Sequence, residues 1–235
     1  MSARITLISS MATRGVLADL ARDFSARAGI EVSMESVGGV DAAKRVQAGE
    51  GFDFVLLASE AIDRLIASGH VRGPRCDLIR STVAVAVRSG TPHPDIHHGD
   101  AVRQAVLAAP SISYSTGPSG IYLTQLFERW GIAEQVRDRM VQAPPGVPVG
   151  SLVAKGDVAL GFQQLSELLP LKGIDVVGEL PPDIQYVTTF CAARGLLSAQ
   201  AQGSAHDSTV TRWLEFLRSA EAADTIRRHG MTPAG

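Results

Sequence analysis

The sequence predicts an α/β fold with a largely parallel sheet, arranged in two lobes. Strand-like apolar runs alternate with helical patterns almost from the first residue, the alternation comes in two series, and no linker separates them. A chain of 235 residues is long enough for two lobes of about a hundred residues, each with its own core.

In the first series, RITLI reads as a strand. ATRGVLADLARDFSARAG reads as a helix, because Val16, Leu17, Leu20, Ala21 and Phe24 recur at helical spacing and Gly29 stops it. IEVSMES is a second strand, and VGGVDAAKRVQAGEG supplies a loop and a short helix. FDFVLLAS is a buried third strand, and EAIDRLIASG a helix closed by Gly69. The second series opens with STVAVAVRSG, too continuously apolar for a surface strand. After the polar loop TPHPDIHHGD come the helix AVRQAVLAA, the strand SISYS, the turn YSTGPSG and the helix IYLTQLFERWG. VGSLVAKG, the strand DVALGFQQ, the helix-like LSELLP and the strand IDVVGEL complete it. IQYVTTFCAA is a late strand. The final forty or so residues carry Val210, Trp213, Leu214, Phe216 and Leu217 on one stripe and are expected to add helices and no new sheet. No internal repeat is visible.

Composition narrows the function. Hydrophobic content is 45%, charged content 20% and formal net charge -2, which is ordinary for a globular protein. No Lys/Arg stripe is present, so a nucleic-acid partner is not expected; the nearest cluster, Arg72, Arg75 and Arg80, is interrupted by Asp77. Cys76 and Cys191 lack metal or CxxC spacing and read as separate thiols. The apolar run after Met1 is broken by Ser9 and Ser10, too short and polar for a signal segment or a membrane span. A cytoplasmic location is expected for the chain as it stands, a periplasmic one if it is a processed form. No cofactor and no metal site are expected.

The strand-to-helix turns carry the most information. SSMATR, SVGGVD, YSTGPSG and GFQQLSE each set small, hydroxyl or amide side chains where a helix presents unpaired N–H groups and the positive end of its dipole. Such a turn is also what plain capping needs, with Ser119 as the N-cap of its helix. Capping alone would use Asp and Asn freely, yet only Asp41 and Glu167 appear in these turns. That scarcity points to an anion as the ligand. Arg14, just inside the first helix, and Arg80, directly before the crossing strand, are the candidate cations.

These features together resemble the type 2 periplasmic-binding fold and, within it, the molybdate-binding-protein-like group of substrate-binding proteins. The likeness runs through the first-loop serines, FDFVLLAS, STVAVAV, PSGIY, LVAKGDVALGF and the ending FLRSAEAADTIRRHGM. It implies one lobe from residues 1–81 and 188–235 and another from residues 82–187, closing on a small oxyanion or a di- or tricarboxylate in a cleft. The candidate ligand-binding set is Ser9, Ser10, Thr13, Arg14, Gly38, Gly39, Arg80, Ser115, Thr116, Ser119, Gly120, Val147, Gln163 and Gln164. Gln164 stands where family members place a tyrosine, which favours a carboxylate over molybdate. If the chain is exported, the resemblance implies an ABC permease as partner.

The same superfamily includes aconitate isomerases, so an isomerase of an unsaturated polycarboxylate is the alternative, with Glu167 as candidate general base. His93, His97 and His98 lie in a surface-like loop and are read as solvated. A free-standing effector-sensing domain is the third reading.

Overall fold

In the computed structural model, residues 4–197 and 204–235 are described; positions 1–3 and 198–203, which belong to the span expected for the first lobe, lie outside the described residues. The chain divides into two units, Met1–Arg80 with Thr189–Gly235, and Ser81–Thr188.

The first unit is built on three parallel strands: β1 (Arg4–Ser10) lies between β2 (Glu31–Val37) and β3 (Phe54–Ala58), with Ser9 opposite Ser36 and Leu56. Between them run α1 (Arg14–Ala28) and α2 (Gly39–Gln47), and α3 (Ser59–Ala67) follows β3. Strand alternation sorts the core into two faces. Ile5, Leu7 and Leu56 pack with Val16, Leu20 and Phe24 of α1. Ile8, Val55 and Leu57 pack with Ala42 and Val46 of α2 and Ile62 and Leu65 of α3. Adjacent strands β1 and β2 therefore send their helices to opposite faces, which opens a crevice at their carboxyl ends. At the other end of the strands, buried Asp53 accepts from the Thr6 N–H at 2.8 Å and the Thr6 hydroxyl at 3.0 Å.

The sheet of this unit continues through β9 (Val187–Gly195), antiparallel to β3 with Cys191 opposite Leu57. Helices α9 (Ala205–Leu217) and α10 (Ala220–Arg228) cover the α1 face. There the Trp213 ring meets Phe24 edge-on at 5.1 Å, and His206 of α9 reaches Asp53 at 2.6 Å.

The second unit repeats the plan. β5 (Ile112–Tyr114) lies parallel between β6 (Met140–Gln142) and β7 (Leu160–Gln164). α5 (Pro118–Arg129) follows β5, and α7 (Val149–Lys155) follows β6. α4 (Gly99–Ala108), α6 (Ala133–Val136), α8 (Leu165–Leu168) and β8 (Ile174–Glu179) complete the unit. Val83, Val85 and Phe162 pack with Leu123 and Phe127 of α5, while Ala84 and Ala86 pack with Val149 and Val153 of α7. Small residues are required on the second face. A methyl at Gly161 would lie 2.6 Å from the Val153 side chain. Here too, adjacent strands β5 and β6 feed helices on opposite faces.

Four expectations are corrected. The strand expected at Ser81 begins ten residues earlier: β4 runs Val71–Arg88, pairing with β7 and β8 in its second half. Gly73 and Pro74 disguise its start, and both are exposed, as a proline in a strand must be at an edge. Arg80 consequently lies inside β4, opposite Thr232, and not before it. The C-terminal segment does add sheet, since β10 (Thr232–Pro233) pairs with β4. Finally, Ser119 does not cap α5; Gly117 is the N-cap and Pro118 the first helical residue.

Candidate functional site

In the first unit, Ser10 ends β1 and caps the short turn Met11–Thr13, its Oγ accepting from the Ala12 N–H at 3.4 Å. That is a long bond, and the hydroxyl keeps capacity for a second partner. Thr13 is fully buried and donates its hydroxyl to the Ser10 carbonyl at 3.0 Å, so it shapes the turn and offers no outward donor. Ser9 is also fully buried, paired with the Ser36 hydroxyl at 2.7 Å across β1 and β2. Both belong to the frame of the site.

The mouth of α2 adjoins Ser10. Its N-cap is Gly38, without a side-chain cap, and a methyl at Gly39 would sit 3.7 Å from Ser10 Oγ. The first-turn N–H groups of α2 have no intrahelical partner. Ser10, Gly38 and Gly39 thus converge on one crevice. Arg14 is exposed at the start of α1 and makes no ion pair among the described residues. Asp41, in the first turn of α2, sets its carboxylate beside the mouth, 3.3 Å from where a methyl at Gly38 would lie.

In the second unit the YSTGPSG loop folds back over the first turn of α5. Ser115 Oγ lies 3.2 Å from Ser119 Oγ and accepts from the Gly117 N–H at 3.3 Å. Ser119 is 4% exposed and Thr116 is half-buried. Gly120 makes the fold-back possible, because a Cβ there would fall 1.8 Å from the Ser115 carbonyl oxygen. Pro118 carries no N–H, the Gly117 N–H goes to Ser115 Oγ and the Gly120 N–H goes to the Gly117 carbonyl at 3.0 Å, so among the described residues the Ser119 N–H is the open donor of this first turn.

The remaining predicted residues separate from this group. The Val147 N–H is taken by the Pro144 carbonyl at 3.0 Å, leaving an exposed apolar side chain just before α7. Gln164 is buried and fully engaged within its own unit. In the amide orientation that satisfies its neighbours it accepts from Thr188 Oγ1 at 2.6 Å and donates to Ser81 Oγ at 2.9 Å and to the Ser81 and Thr82 carbonyls at 3.2 Å. Arg80 is exposed in β4, where its charge helps to hold the Asp77 carboxyl low, after the hydrogen bond from Cys191 and the pull of Arg75.

Gln163, in β7, and Glu167, in α8, stand together in the second unit as a hydrogen-bonded pair. Gln163 is buried with Oε1 unpartnered among the described residues. Burial pushes the Glu167 carboxyl up to about 7, against the pull of a hydrogen bond from the Gln163 side chain. A carboxylate held there can take up and release a proton near neutral pH.

Sequence reasoning gave no role to Ser36, Ser81 or Thr188. Their only signal is contact with a residue far away in the chain. His98 caps α4 through Nδ1 at 3.2 Å from the Ala101 N–H, while His93 and His97 pair with Asp175 and Asp95 at 3.3 and 2.6 Å. Cys191 donates to Asp77 at 3.0 Å, and Cys76 packs on the opposite face of the sheet. Among the described residues no group of His, Cys, Asp and Glu is placed to hold a metal ion, and no helix is long and apolar enough to cross a membrane.

Comparison with known proteins agrees with this architecture. The chain is 36% identical to an aconitate isomerase from a Pseudomonas species, over 97% of this chain and 87% of the relative. Among solved structures it is similar to a sulfate-binding protein from Mycobacterium tuberculosis, with a TM-score of 0.77, 18% identity and coverage of 99% and 87% of the two chains. The periplasmic molybdate-binding protein of Azotobacter vinelandii gives a TM-score of 0.76, 18% identity and coverage of 97% and 98%. These likenesses show the type 2 periplasmic-binding fold. The profile of the family described as bacterial extracellular solute-binding protein matches residues 5–232, and the chain belongs to that family.

Proposed function

We propose that this solute-binding protein takes a small polycarboxylate of the aconitate type, held by the hydroxyl and backbone donors at its helix mouths. The observation that carries the reading is the pair of donor-rich mouths, Ser10 with Gly38 and Gly39 in one unit and Ser115 with Ser119 in the other. A helix end contributes roughly 0.3–1 kcal/mol toward an anion, far short of the ~8 kcal/mol of micromolar binding. Charge-assisted bonds from the hydroxyls, and Arg14, must supply the rest.

Two features favour an organic anion over a bare oxyanion. Gln164 is spent on its own unit's strands. Exposed apolar side chains stand at the mouths: Val40 in the first turn of α2 and Ile121 directly after Gly120. They suit a ligand with a hydrocarbon frame. Calorimetry with cis-aconitate, trans-aconitate, citrate and molybdate tests the reading; tight molybdate binding with no heat from the carboxylates overturns it. If the protein serves import, an ABC permease receives the solute.

The second reading is catalysis, supported by the 36% identical aconitate isomerase and by the Glu167 carboxyl with its pKa near 7. In an allylic isomerisation Glu167 would remove a proton from the methylene carbon and the double bond would migrate. The same proton would then return to the former vinylic carbon, with the dienolate charge held by the mouth donors. Atoms and electrons balance without a cofactor. Following the ultraviolet absorbance of cis-aconitate separates an isomerase from a pure binder.

A further inference from the structure

The first unit contains a groove of about 610 Å³ remote in sequence from the strand-to-helix turns, between the start of β4, β9 and the C-terminal helices. Its rim carries Arg72, Arg75, Arg194 and Arg218. Two of these are already neutralised, Arg75 by Asp63 and Asp77, and Arg194 by Asp207. Arg72 and Arg218 are exposed and make no ion pair among the described residues, and the lining sets Asp77 and the α-carboxylate of the last residue, Gly235, against its four arginines. The floor is apolar, formed by Leu214, Leu217 and Ile226.

We propose that this groove is a second ligand site, for a monoanion with an apolar body, of the class of medium-chain carboxylates. The carboxylate would take the Arg72 and Arg218 guanidinium forks, and the chain would lie over half-buried Leu214 and exposed Pro74, above the buried Leu217 and Ile226. An inorganic oxyanion would satisfy the arginines but leave the solvent-facing apolar wall, Leu214 and Pro74, wet. A polycarboxylate would carry unpaired charge onto it. The volume falls within the ~300–1,000 Å³ of small-molecule sites.

Cys76 gives the site a built-in reporter, since its half-buried thiol lines the groove while Cys191 is buried on the other sheet face. Burial holds the Cys76 thiol above its ordinary pKa, and Arg218 partly opposes that. A bound carboxylate would cancel the help from Arg218 and cover the sulfur. The experiment is iodoacetamide alkylation of the whole protein, with the Cys76 peptide quantified by mass spectrometry, in sodium octanoate or in sodium sulfate at equal ionic strength. Octanoate is expected to slow Cys76 alkylation saturably by about tenfold, the change that one pKa unit makes in thiolate; sulfate should leave it unchanged. The Arg72→Gln/Arg218→Gln double variant, which removes only exposed and unpaired charges, should lose the protection while keeping its melting temperature. No saturable slowing, equal slowing by sulfate, or undiminished slowing in the double variant would each overturn the site.

Discussion

Ser115 and Ser119 stand hydroxyl to hydroxyl, 3.2 Å apart, across the first turn of α5, and the Gly117 N–H closes on Ser115 at 3.3 Å. The loop is thereby organised before any ligand arrives, with its two hydroxyls gathered at the start of the helix, where the Ser119 N–H is open among the described residues. Such preorganisation lowers the ordering cost of binding. Because Ser119 is the second helical residue and buried, its hydroxyl is not needed as a cap.

Ser119→Ala should therefore leave the melting temperature nearly unchanged and weaken carboxylate binding about ten- to a hundredfold, the worth of one hydrogen bond to a charged group at about 1.5–3 kcal/mol. Ser119→Asp should abolish binding by setting a negative charge where the anion sits. Calorimetry and thermal melts on both variants check this. A Ser119→Asp protein that binds normally would reduce YSTGPSG to an ordinary turn.

Gly120→Ala tests the same loop through its backbone. The added methyl meets the Ser115 carbonyl oxygen at 1.8 Å, and no rotamer can move a Cβ away. Loop and helix must separate, at a cost of about 1–3 kcal/mol or more. Gly117→Ala is the matched control, since a methyl there meets only Ser115 Oγ at 3.7 Å and the residue's φ of -84° suits any side chain. Urea melts should separate the two variants clearly; equal stability would mean that the fold-back is not fixed as described.

What could be read from sequence was local and periodic. The apolar stripe of α1 and the continuous run of β3 announce themselves, because one buried face imposes one period. β6 was invisible: it has three residues, and Val141 and Gln142 are exposed. Without β6 the matching plans of the two units could not be seen, and the chain showed no repeat. The turns were legible as donor-rich, but the assignment of each donor was not. Whether Ser9 faces a ligand or Ser36, and whether Gln164 faces a ligand or Ser81 and Thr188, is decided by residues tens of positions away.

Glu167 should make stability depend on pH. Its carboxyl is raised from 4.5 to about 7 in the folded protein, mainly by burial, so the folded state holds its proton more tightly than the unfolded chain does. The contribution is fully present below pH 4.5 and is lost as pH rises through about 7, amounting to up to about 3 kcal/mol. Glu167→Gln should remove this slope between pH 5 and 8 and raise stability at pH 8. Urea midpoints measured across that range check it; identical slopes for the two proteins would show that Glu167 titrates as an ordinary surface acid.

Gln164 offers the sharpest separation between a ligand residue and a strut. Its amide joins the end of β7 to Ser81 and Thr82 in β4 and to Thr188 in β9, four contacts in a site with almost no water access. Replacing it by leucine keeps the volume and strands several polar groups, each costing about 1–3 kcal/mol when buried without a partner. Gln164→Leu should therefore lower stability by at least about 2 kcal/mol. Gln164→Glu should be comparably harmful, because a buried carboxylate would face two carbonyl oxygens. A ligand residue would behave in the opposite way, with affinity falling sharply and the melting temperature barely moving. Parallel melts and calorimetry on the leucine variant decide it: a protein of normal stability that has lost its anion would place Gln164 back among the ligand groups.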